Sequence, residues 1–250
     1  MSHSSIIFKS LGGSETVTGS KHLLKFQSGF TLLLDCGLFQ GPKKWRQKNW
    51  EALPSPLNDI SCIILSHAHI DHSGYIPKLV KDGFRGNIYC TQATYELAQI
   101  LLPDSAHLQE EDAFLANKKQ FSKHHPALPL YTAEDAEEAL KLFVPMPFDH
   151  NFFIDKEKKI SVSFKYAGHI LGAAISLISY QDKTLAFTGD LGRPNDFIMN
   201  PPSTDIKANF LLLESTYGDR LHSEQDAKKK LEEILLKVIS RGGTILIPSF

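Results

Sequence analysis

The stretch LSHAHIDHSG, residues 65–74, places four side chains that can bind metal ions within six positions. Neutral imidazole and carboxylate are the ligands that zinc and other borderline divalent ions prefer. A single histidine is more often an ordinary polar or core residue, but four such groups close together indicate a metal site. Such a site supports metal-assisted hydrolysis. The four residues are His67, His69, Asp71 and His72.

The elements around this cluster indicate how it is held. Residues 60–66, ISCIILS, form an apolar β-branched run of strand length, and GYIPKLV from Gly74 onward has the spacing of a short helix. The cluster therefore lies where a strand ends and a helix begins, the usual place for sites in α/β folds. His67 and His69 can point to one side, while Asp71 and His72 face a neighbouring point. This arrangement favours two metal ions over one.

Further candidate ligands stand at the ends of other predicted strands. His169 follows the strand 160–168, and small residues on both sides of it let the backbone approach closely. Asp190 ends the strand 184–190, where its two carboxylate oxygens could bridge two cations. An ordinary structural histidine and an ordinary turn aspartate are the alternatives.

Two more carboxylates are predicted to support the ligands. Asp35 ends the run TLLLDCG and is placed to hold the histidine loop through hydrogen bonds. Glu214 closes the apolar strand 209–214 and would orient an acid or a substrate group. A helix-capping glutamate is the alternative for Glu214.

Composition is that of an ordinary globular protein. The chain has 250 residues, of which 42% are hydrophobic and 22% charged, so it can bury a substantial core. Its formal net charge of −1 gives no global basic field that would indicate a nucleic-acid partner. One local patch differs: KKWRQK, residues 43–48, could contact phosphates and stack a base, with a solvated loop as the alternative.

The cysteines and the hydropathy indicate the compartment. Cys36, Cys62 and Cys90 form neither a disulfide framework nor a CxxC zinc pattern, so we expect reduced, buried thiols. No apolar run approaches the ~18 residues needed to cross a bilayer, and the N-terminus lacks the features of a secretory leader. We therefore expect a cytoplasmic protein without a membrane partner.

Strands and helices follow each other along the whole chain. Helices are predicted at 92–120, 133–143 with Thr132 as N-cap, and 226–240. The predicted strands are 6–13, 20–27, 30–37, 60–66, 87–92, 160–168, 174–181, 184–190, 209–214 and 244–250.

Several motifs together resemble one family. HAHIDH, residues 67–72, matches the HxHxDH signature of the metallo-β-lactamase fold superfamily, and Asp35, His169 and Asp190 fall in the order of its other motifs. The opening LGGSETVTGSKHLL, AGHILGAA, TGDLGR and above all ESTYGDR, which contains Glu214, resemble the β-CASP branch, which acts on nucleic acids. Within that branch the chain resembles RNA-processing nucleases similar to the endonuclease subunit of the cleavage and polyadenylation machinery.

The resemblance implies an α/β fold, an αββα sandwich with a dinuclear site between its two sheets. Residues 1–207 would form the N-terminal part of the metallo-β-lactamase domain, and 208–250 the truncated start of an inserted β-CASP domain. The family takes a further histidine ligand and a general-acid histidine from later motifs, which these 250 residues lack. We therefore expect a fragment of a longer protein, which by itself binds metal weakly and cleaves nothing; an incomplete second metal site is the alternative.

The resemblance also implies a ligand set for two zinc ions, with manganese as the alternative metal. Three histidines would hold one ion, Asp71 and His72 the second, and Asp190 would bridge them. The implied metal ligands are His67, His69, Asp71, His72, His169 and Asp190. The candidate catalytic residues are Asp71, which would orient the attacking hydroxide, Glu214, which would support the general acid, and Asp35.

The implied function is a zinc-dependent RNA nuclease that hydrolyses phosphodiester bonds in RNA processing or decay by attack of a metal-bound hydroxide. RNA is then the partner, and a homodimer is one form of assembly. Three alternatives stay open. They are a DNA-directed β-CASP nuclease, a small-molecule hydrolase such as a thioester hydrolase, and a non-catalytic RNA-binding scaffold. A thioester hydrolase would not need the motif ESTYGDR. The six intact ligand positions argue against a non-catalytic scaffold.

Overall fold

The computed structural model describes residues 6–54, 56–221 and 226–248. The chain forms two compact units, Met1–Glu214 and Ser215–Phe250. The first unit contains both β-sheets and every candidate site residue. The predicted assignment of 208–250 to the start of a second domain stays a prediction.

The first sheet has six strands that follow one another across the sheet in chain order. They are β1 (Ile6–Gly12), β2 (Lys21–Phe26), β3 (Thr31–Leu34), β4 (Cys62–Ile64), β5 (Asn87–Thr91) and β6 (Phe143–Met146). β1, β2 and β3 are antiparallel, whereas β3 to β6 are parallel. The carboxyl ends of four neighbouring strands therefore lie on one edge of the sheet.

The second sheet has five strands in the order β11-β10-β9-β8-β7. β10 and β11 are parallel, and the other neighbouring pairs are antiparallel. The strands are β7 (Asn151–Asp155), β8 (Ile160–Tyr166), β9 (Ala174–Tyr180), β10 (Lys183–Phe187) and β11 (Phe210–Leu212).

Six α-helices and two short 3-10 helices, Gln47–Trp50 and Leu57–Asp59, complete the described part of the chain. None of these helices is both long enough and apolar enough to cross a membrane. In the second unit, Asp226 caps the helix by accepting hydrogen bonds from the backbone of Lys228 and Lys229. The α-helices are α1 (Lys43–Arg46), α2 (Ile70–Ser73), α3 (Ile76–Lys81), α4 (Gln92–Lys119), α5 (Ala133–Leu140) and α6 (Ala227–Ser240).

Alternating side chains of the first sheet divide the core into two layers. In β3, Leu32 and Leu34 pack against residues of the second sheet such as Val162, while Leu33 packs on the other face against the helices. This alternation follows from the two-residue period of a strand. Each fully buried leucine contributes about 1.5–3 kcal/mol to the free energy of unfolding. The two sheets thus pack face to face, with helices on the outer face of the first.

The strongest local patterns are confirmed. The helix predicted at 92–120 is α4, and Thr132 forms a reciprocal capping box with Asp135 at the start of α5. The predicted end of that second helix at residue 143 is wrong, because Phe143 begins β6. Pro145 lacks a backbone donor, so its presence argues against a strand in the sequence. The strand tolerates this proline because β6 lies at an edge of the sheet. The strand β7 was also not predicted.

The predicted strand 244–250 is not observed in its described part. Residues 244–248 carry no strand, and residues 249–250 lie outside the described part of the chain. A strand exists only where a neighbouring segment pairs with its backbone, which an apolar run cannot indicate. The prediction for the cysteines is confirmed, since all three are free and buried.

Candidate metal centre

The predicted cluster follows β4, where the carboxyl ends of the parallel strands of the first sheet lie. The chain leaves β4, passes His67 in a loop, and enters α2 with His69 as the residue before its first turn. His67 and His72 are buried, whereas His69 and Asp71 are half-buried. The buried ligands thus lie inside the domain and the half-buried ones reach its surface.

The second sheet supplies the other two candidates. His169 lies in the loop between β8 and β9, and Asp190 follows β10. Two backbone hydrogen bonds fix these loops: Gly192 N donates to Ala167 O at 2.8 Å, and Ala174 N donates to Ser66 O at 2.9 Å. Loops from both sheets therefore meet at one rim of the sandwich.

The first group of ligand atoms contains three imidazole nitrogens and one carboxylate oxygen, all within 4.8 Å of one another. His69 Nδ1 lies 3.1 Å from His67 Nε2 and 3.2 Å from His169 Nε2. Asp190 Oδ2 lies 3.8 Å from His67 Nε2 and 3.6 Å from His169 Nε2. The structure thus brings together residues up to 123 positions apart, and the assignment of this group to one metal ion stays a prediction.

The other carboxylate oxygen of Asp190 faces a second group. Asp190 Oδ1 lies 3.3 Å from His72 Nε2, which in turn lies 3.8 Å from Asp71 Oδ2. The two oxygens of one carboxylate therefore point to two different groups of ligands. This is the arrangement that a bridging carboxylate requires.

Two spacings of the first group fit a tetrahedral metal ion, whereas those to Asp190 are wider, at 3.8 and 3.6 Å. Zinc binds imidazole nitrogen at about 2.0–2.1 Å, so neighbouring ligand atoms of a tetrahedral site lie about 3.3 Å apart. The nitrogen–nitrogen distances of 3.1 and 3.2 Å come close to this value. A set of three imidazoles and a carboxylate also matches the donor preference of zinc.

Asp35 holds the second histidine and the loop before the first one. Its Oδ2 accepts hydrogen bonds from His72 Nδ1 at 2.6 Å, from Ser66 Oγ at 2.9 Å and from Ser20 Oγ at 3.2 Å. Its Oδ1 accepts from Ser66 N at 2.8 Å. Asp35 is fully buried and has a φ of 57°. The predicted hydrogen bonding of Asp35 to the histidine loop is therefore what the structure has.

Burial and neighbouring charges set the protonation of the cluster in the absence of metal. Burial, followed by the charge of His72 and the other histidines, lowers the pKa of His67 well below its ordinary value, and burial likewise lowers the pKa of His69. Burial also opposes charge on His72, but Asp35 and Asp190 outweigh it and raise the pKa of His72 to about 10. Burial would raise the pKa of Asp190, yet its hydrogen bond with His72 keeps that pKa below the ordinary value. A cation bound at Nε2 of His72 would therefore replace a proton.

Glu214 fixes the loop that carries Asp190. Its Oε1 accepts a hydrogen bond from Leu191 N at 3.0 Å, and its own backbone N–H donates to Thr188 Oγ1 at 3.1 Å. The side chain of Glu214 thus binds the backbone of a loop and does not cap a helix. Its predicted role of orienting an acid stays a prediction.

Several supporting residues were not found from the sequence. Ser66 and Ser20 bind Asp35, and the buried ammonium of Lys21 donates to Gly37 O. That ammonium also lies 4.5 Å from the centre of the Phe39 ring, and burial lowers the pKa of Lys21 to about 8. Ser66 directly precedes the first histidine, which is a usable signal, but Lys21 has no local signal.

Comparison with known proteins assigns the family. A sequence family described as "Metallo-beta-lactamase superfamily domain" matches residues 23–209, which is most of the chain. The chain therefore belongs to the metallo-β-lactamase superfamily. The predicted fold class, the α/β αββα sandwich of that family, is confirmed.

Three curated relatives match almost the whole chain. "Ribonuclease TTHA0252" of Thermus thermophilus is 35% identical over 240 residues, which are 96% of this chain and 50% of the relative. "Transcription termination factor FttA" of Methanocaldococcus jannaschii is 30% identical over 247 aligned positions, and the alignment covers 96% of this chain and 36% of that protein. "Endoribonuclease ysh1" of Emericella nidulans is 30% identical over 256 aligned positions, and the alignment covers 98% of this chain and 27% of that protein.

These relatives confirm the predicted resemblance to RNA-processing nucleases of the β-CASP branch. The chain spans half the length of the Thermus relative and about a third of the archaeal one.

Proposed function

We propose that the whole protein is a metal-dependent ribonuclease of the β-CASP type, which hydrolyses phosphodiester bonds in RNA processing or decay. The observation that carries the proposal is the pair of ligand groups on the two oxygens of Asp190. Relatives named ribonuclease and endoribonuclease support RNA as the substrate. The predicted homodimer and cytoplasmic location stay predictions.

Two zinc ions are the cofactors that we assign to this site, with manganese as the alternative. His67, His69 and His169 would hold one ion, and Asp71 and His72 would hold the other. Asp190 would bind both ions. When bound, the ions would lower the pKa of a water and neutralise charge on the phosphoryl oxygens.

The chain's own residues position the reacting groups. Asp35 keeps Nε2 of His72 turned towards Asp190 by accepting the proton of Nδ1. Asp71 is only half-buried, so its carboxylate can hold and orient the attacking water from the open side. Attack at phosphorus with loss of the 3′-oxygen leaves a 5′-phosphate and a 3′-hydroxyl.

The test combines metal analysis of the whole protein with cleavage of end-labelled RNA. We expect two zinc ions per chain and cleavage that His69→Ala abolishes. His150→Ala is the matched control, because His150 is an exposed histidine outside the cluster, and it should cleave normally. In excess chelator, both variants should unfold at temperatures close to that of the metal-free parent protein.

Other outcomes would overturn the proposal in distinct ways. Cleavage of DNA without cleavage of RNA would indicate a DNA-directed nuclease. Thioester hydrolysis without phosphodiester cleavage would indicate a small-molecule hydrolase. Metal and RNA binding without any cleavage would indicate a scaffold.

A further inference from the structure

One segment near the metal centre carries cations and an aromatic ring that the proposed chemistry does not use. It consists of α1 and the following 3-10 helix, residues 43–50, which we name the basic segment. Within the described residues, none of its four cations forms an ion pair with a carboxylate. An exposed, unneutralised group of cations favours an anionic partner. The four exposed cations are Lys43, Lys44, Arg46 and Lys48.

The basic segment is firmly tied to the element that carries two candidate ligands. The buried side chain of Asn49 donates to Phe39 O at 2.8 Å and accepts from Phe39 N at 2.9 Å. Next to it, Leu38 N donates to Ile70 O at 2.9 Å, and Ile70 stands between two candidate ligands in α2. The cations are therefore held at a fixed place relative to the metal centre.

The two tryptophans of the segment have different environments. Trp45 stacks on Phe39 with ring centroids 6.4 Å apart, and the ammonium groups of Lys44 and Lys48 lie 4.9 and 4.5 Å from its ring. Trp50 is 61% exposed. Trp45 therefore belongs to the support of the segment, whereas Trp50 offers a ring face to a ligand.

Trp50 and Arg46 form one side of a groove with a volume of about 720 Å³. The helix α4 also lines the groove and contributes Leu108 and the exposed carboxylates of Asp104 and Asp112, and Ile70 lines the groove as well. This volume falls within the range of about 300–1,000 Å³ that is usual for small-ligand sites. The groove thus runs from Arg46, the one cation of the basic segment that lines it, to Ile70 in the helix of the metal ligands.

We propose that this groove binds single-stranded RNA, with phosphates on the basic segment and bases between Trp50 and α4. The inference rests on the proposed function and deepens it by placing a substrate contact outside the metal centre. Stacking on an exposed aromatic ring and ionic contacts to phosphates are the two elements of single-strand binding. The carboxylates of Asp104 and Asp112 repel phosphates and accept hydrogen bonds from base amino groups, so they direct bases rather than backbone to α4.

Binding of a fluorescein-labelled single-stranded oligoribonucleotide to the 250-residue chain tests the inference. The titrations contain a chelator, so that binding is measured without metal and without cleavage, and they are repeated over a series of salt concentrations. Lys43→Gln/Arg46→Gln removes two cations of the basic segment. Lys156→Gln/Lys159→Gln removes two exposed cations from the β7–β8 turn and is the matched control.

We expect the first double variant to bind about tenfold more weakly at low salt. The slope of log affinity against log salt should become shallower by about 1.4, because each phosphate contact in a single strand contributes about 0.7. The control should match the parent in affinity and slope. Trp50→Ala should lose about tenfold in affinity with an unchanged slope, and Trp50→Phe should restore most of it.

Four results would overturn the inference: no RNA binding by the parent chain, equal losses in both double variants, equal binding of duplex RNA, or displacement of RNA by polyglutamate at matched charge. Thermal unfolding curves identify any variant that fails to fold, and Lys43→Gln alone then replaces the double variant. Segment-dependent RNA binding in a protein that cleaves no RNA would refute only the proposed function. Zinc-dependent RNA cleavage without segment dependence would refute only this inference.

Discussion

At the residue scale, each buried ligand is oriented by a contact on its other side. Ser66 donates its single hydroxyl proton to Asp35, so the same hydroxyl accepts from Nδ1 of His67 at 3.0 Å. Asp35 does the same for Nδ1 of His72. Both histidines therefore turn Nε2 towards the candidate metal centre, which is how partners behind a ligand set its tautomer.

Substitution of the shared carboxylate should affect both metal positions. Asp190→Asn replaces a charged carboxylate with two oxygens by a neutral amide with one oxygen. We therefore expect zinc affinity to fall by at least about tenfold at both positions. His69→Ala removes a ligand from the first group only, and we expect it to lose one ion of two. Zinc titrations of the two variants measure the difference. Two unchanged ions in Asp190→Asn would show that this carboxylate does not bridge.

The pKa shifts predict how the stability of the metal-free protein depends on pH. The pKa values of His22, His67 and His69 are lowered in the folded state. Their contribution to the free energy of unfolding is therefore fully present above their ordinary pKa of 6.5 and is lost as the pH falls below it. The pKa of His72 is raised, so its contribution is full below pH 6.5 and is lost as the pH rises towards about 10.

The free energy of unfolding in chelator should therefore be largest near pH 6.5 and fall on both sides between pH 5 and 8. Above pH 8, the lowered pKa of Lys21 acts in the opposite direction to His72 and flattens the curve. Urea unfolding at a series of pH values measures this profile. A steady rise from pH 5 to 8 would contradict the assigned protonation of His72.

At the scale of elements, glycines let the loops of the centre pack backbone against backbone. A Cβ on Gly37 would lie 1.6 Å from Asp71 O, and one on Gly192 would lie 1.7 Å from Gly168 O. The first contact presses the loop after β3 onto α2, and the second joins the loops that carry the ligands of the second sheet. These contacts are between backbones, so no side-chain movement can relieve them.

Gly37→Ala should therefore displace α2. We expect a loss of about 1–3 kcal/mol in the free energy of unfolding, as for other overpacked sites, and weaker binding of the second zinc ion. Gly29→Ala is the control, because a Cβ there meets no atom within 4 Å even though its φ is 84°. Urea unfolding and zinc titration separate the two effects. A Gly37→Ala variant that binds zinc like the control would contradict this account.

At the scale of the whole molecule, the centre joins the two sheets. The cluster after β4 belongs to the first sheet, whereas His169 and Asp190 belong to the second. A metal ion bound by all of them would cross-link the two halves of the sandwich. Because the unfolded chain lacks this arrangement, metal binding is coupled to folding.

Zinc should accordingly raise the unfolding temperature of the metal-free protein. At a free concentration of 100 times the dissociation constant, each site adds about 2.7 kcal/mol to the free energy of unfolding. Calorimetry with and without zinc measures this effect, magnesium serves as the comparison ion, and excess chelator should reverse the shift. An equal effect of magnesium would argue against the assigned imidazole-rich site.

Local chemistry could be predicted from the sequence because its determinants lie close together in the chain. The ligand types and spacing of residues 67–72 indicated the metal site, and the period of two residues indicated the strands of the core. Thr132 and Asp135 form a capping box that lies within four residues. The strand β6 could not be predicted in this way, because its pairing with β5 rather than its own pattern defines it.

By itself, the sequence determined the chemistry of the centre: four imidazoles and two carboxylates placed at the ends of strands. Only the tertiary structure decided how these groups meet. It placed His169 beside His69 across 100 residues, turned the two oxygens of Asp190 towards two groups, and gave Asp35 its partner Ser20. Such contacts depend on the packing of two sheets, and packing between distant segments leaves no pattern within either segment.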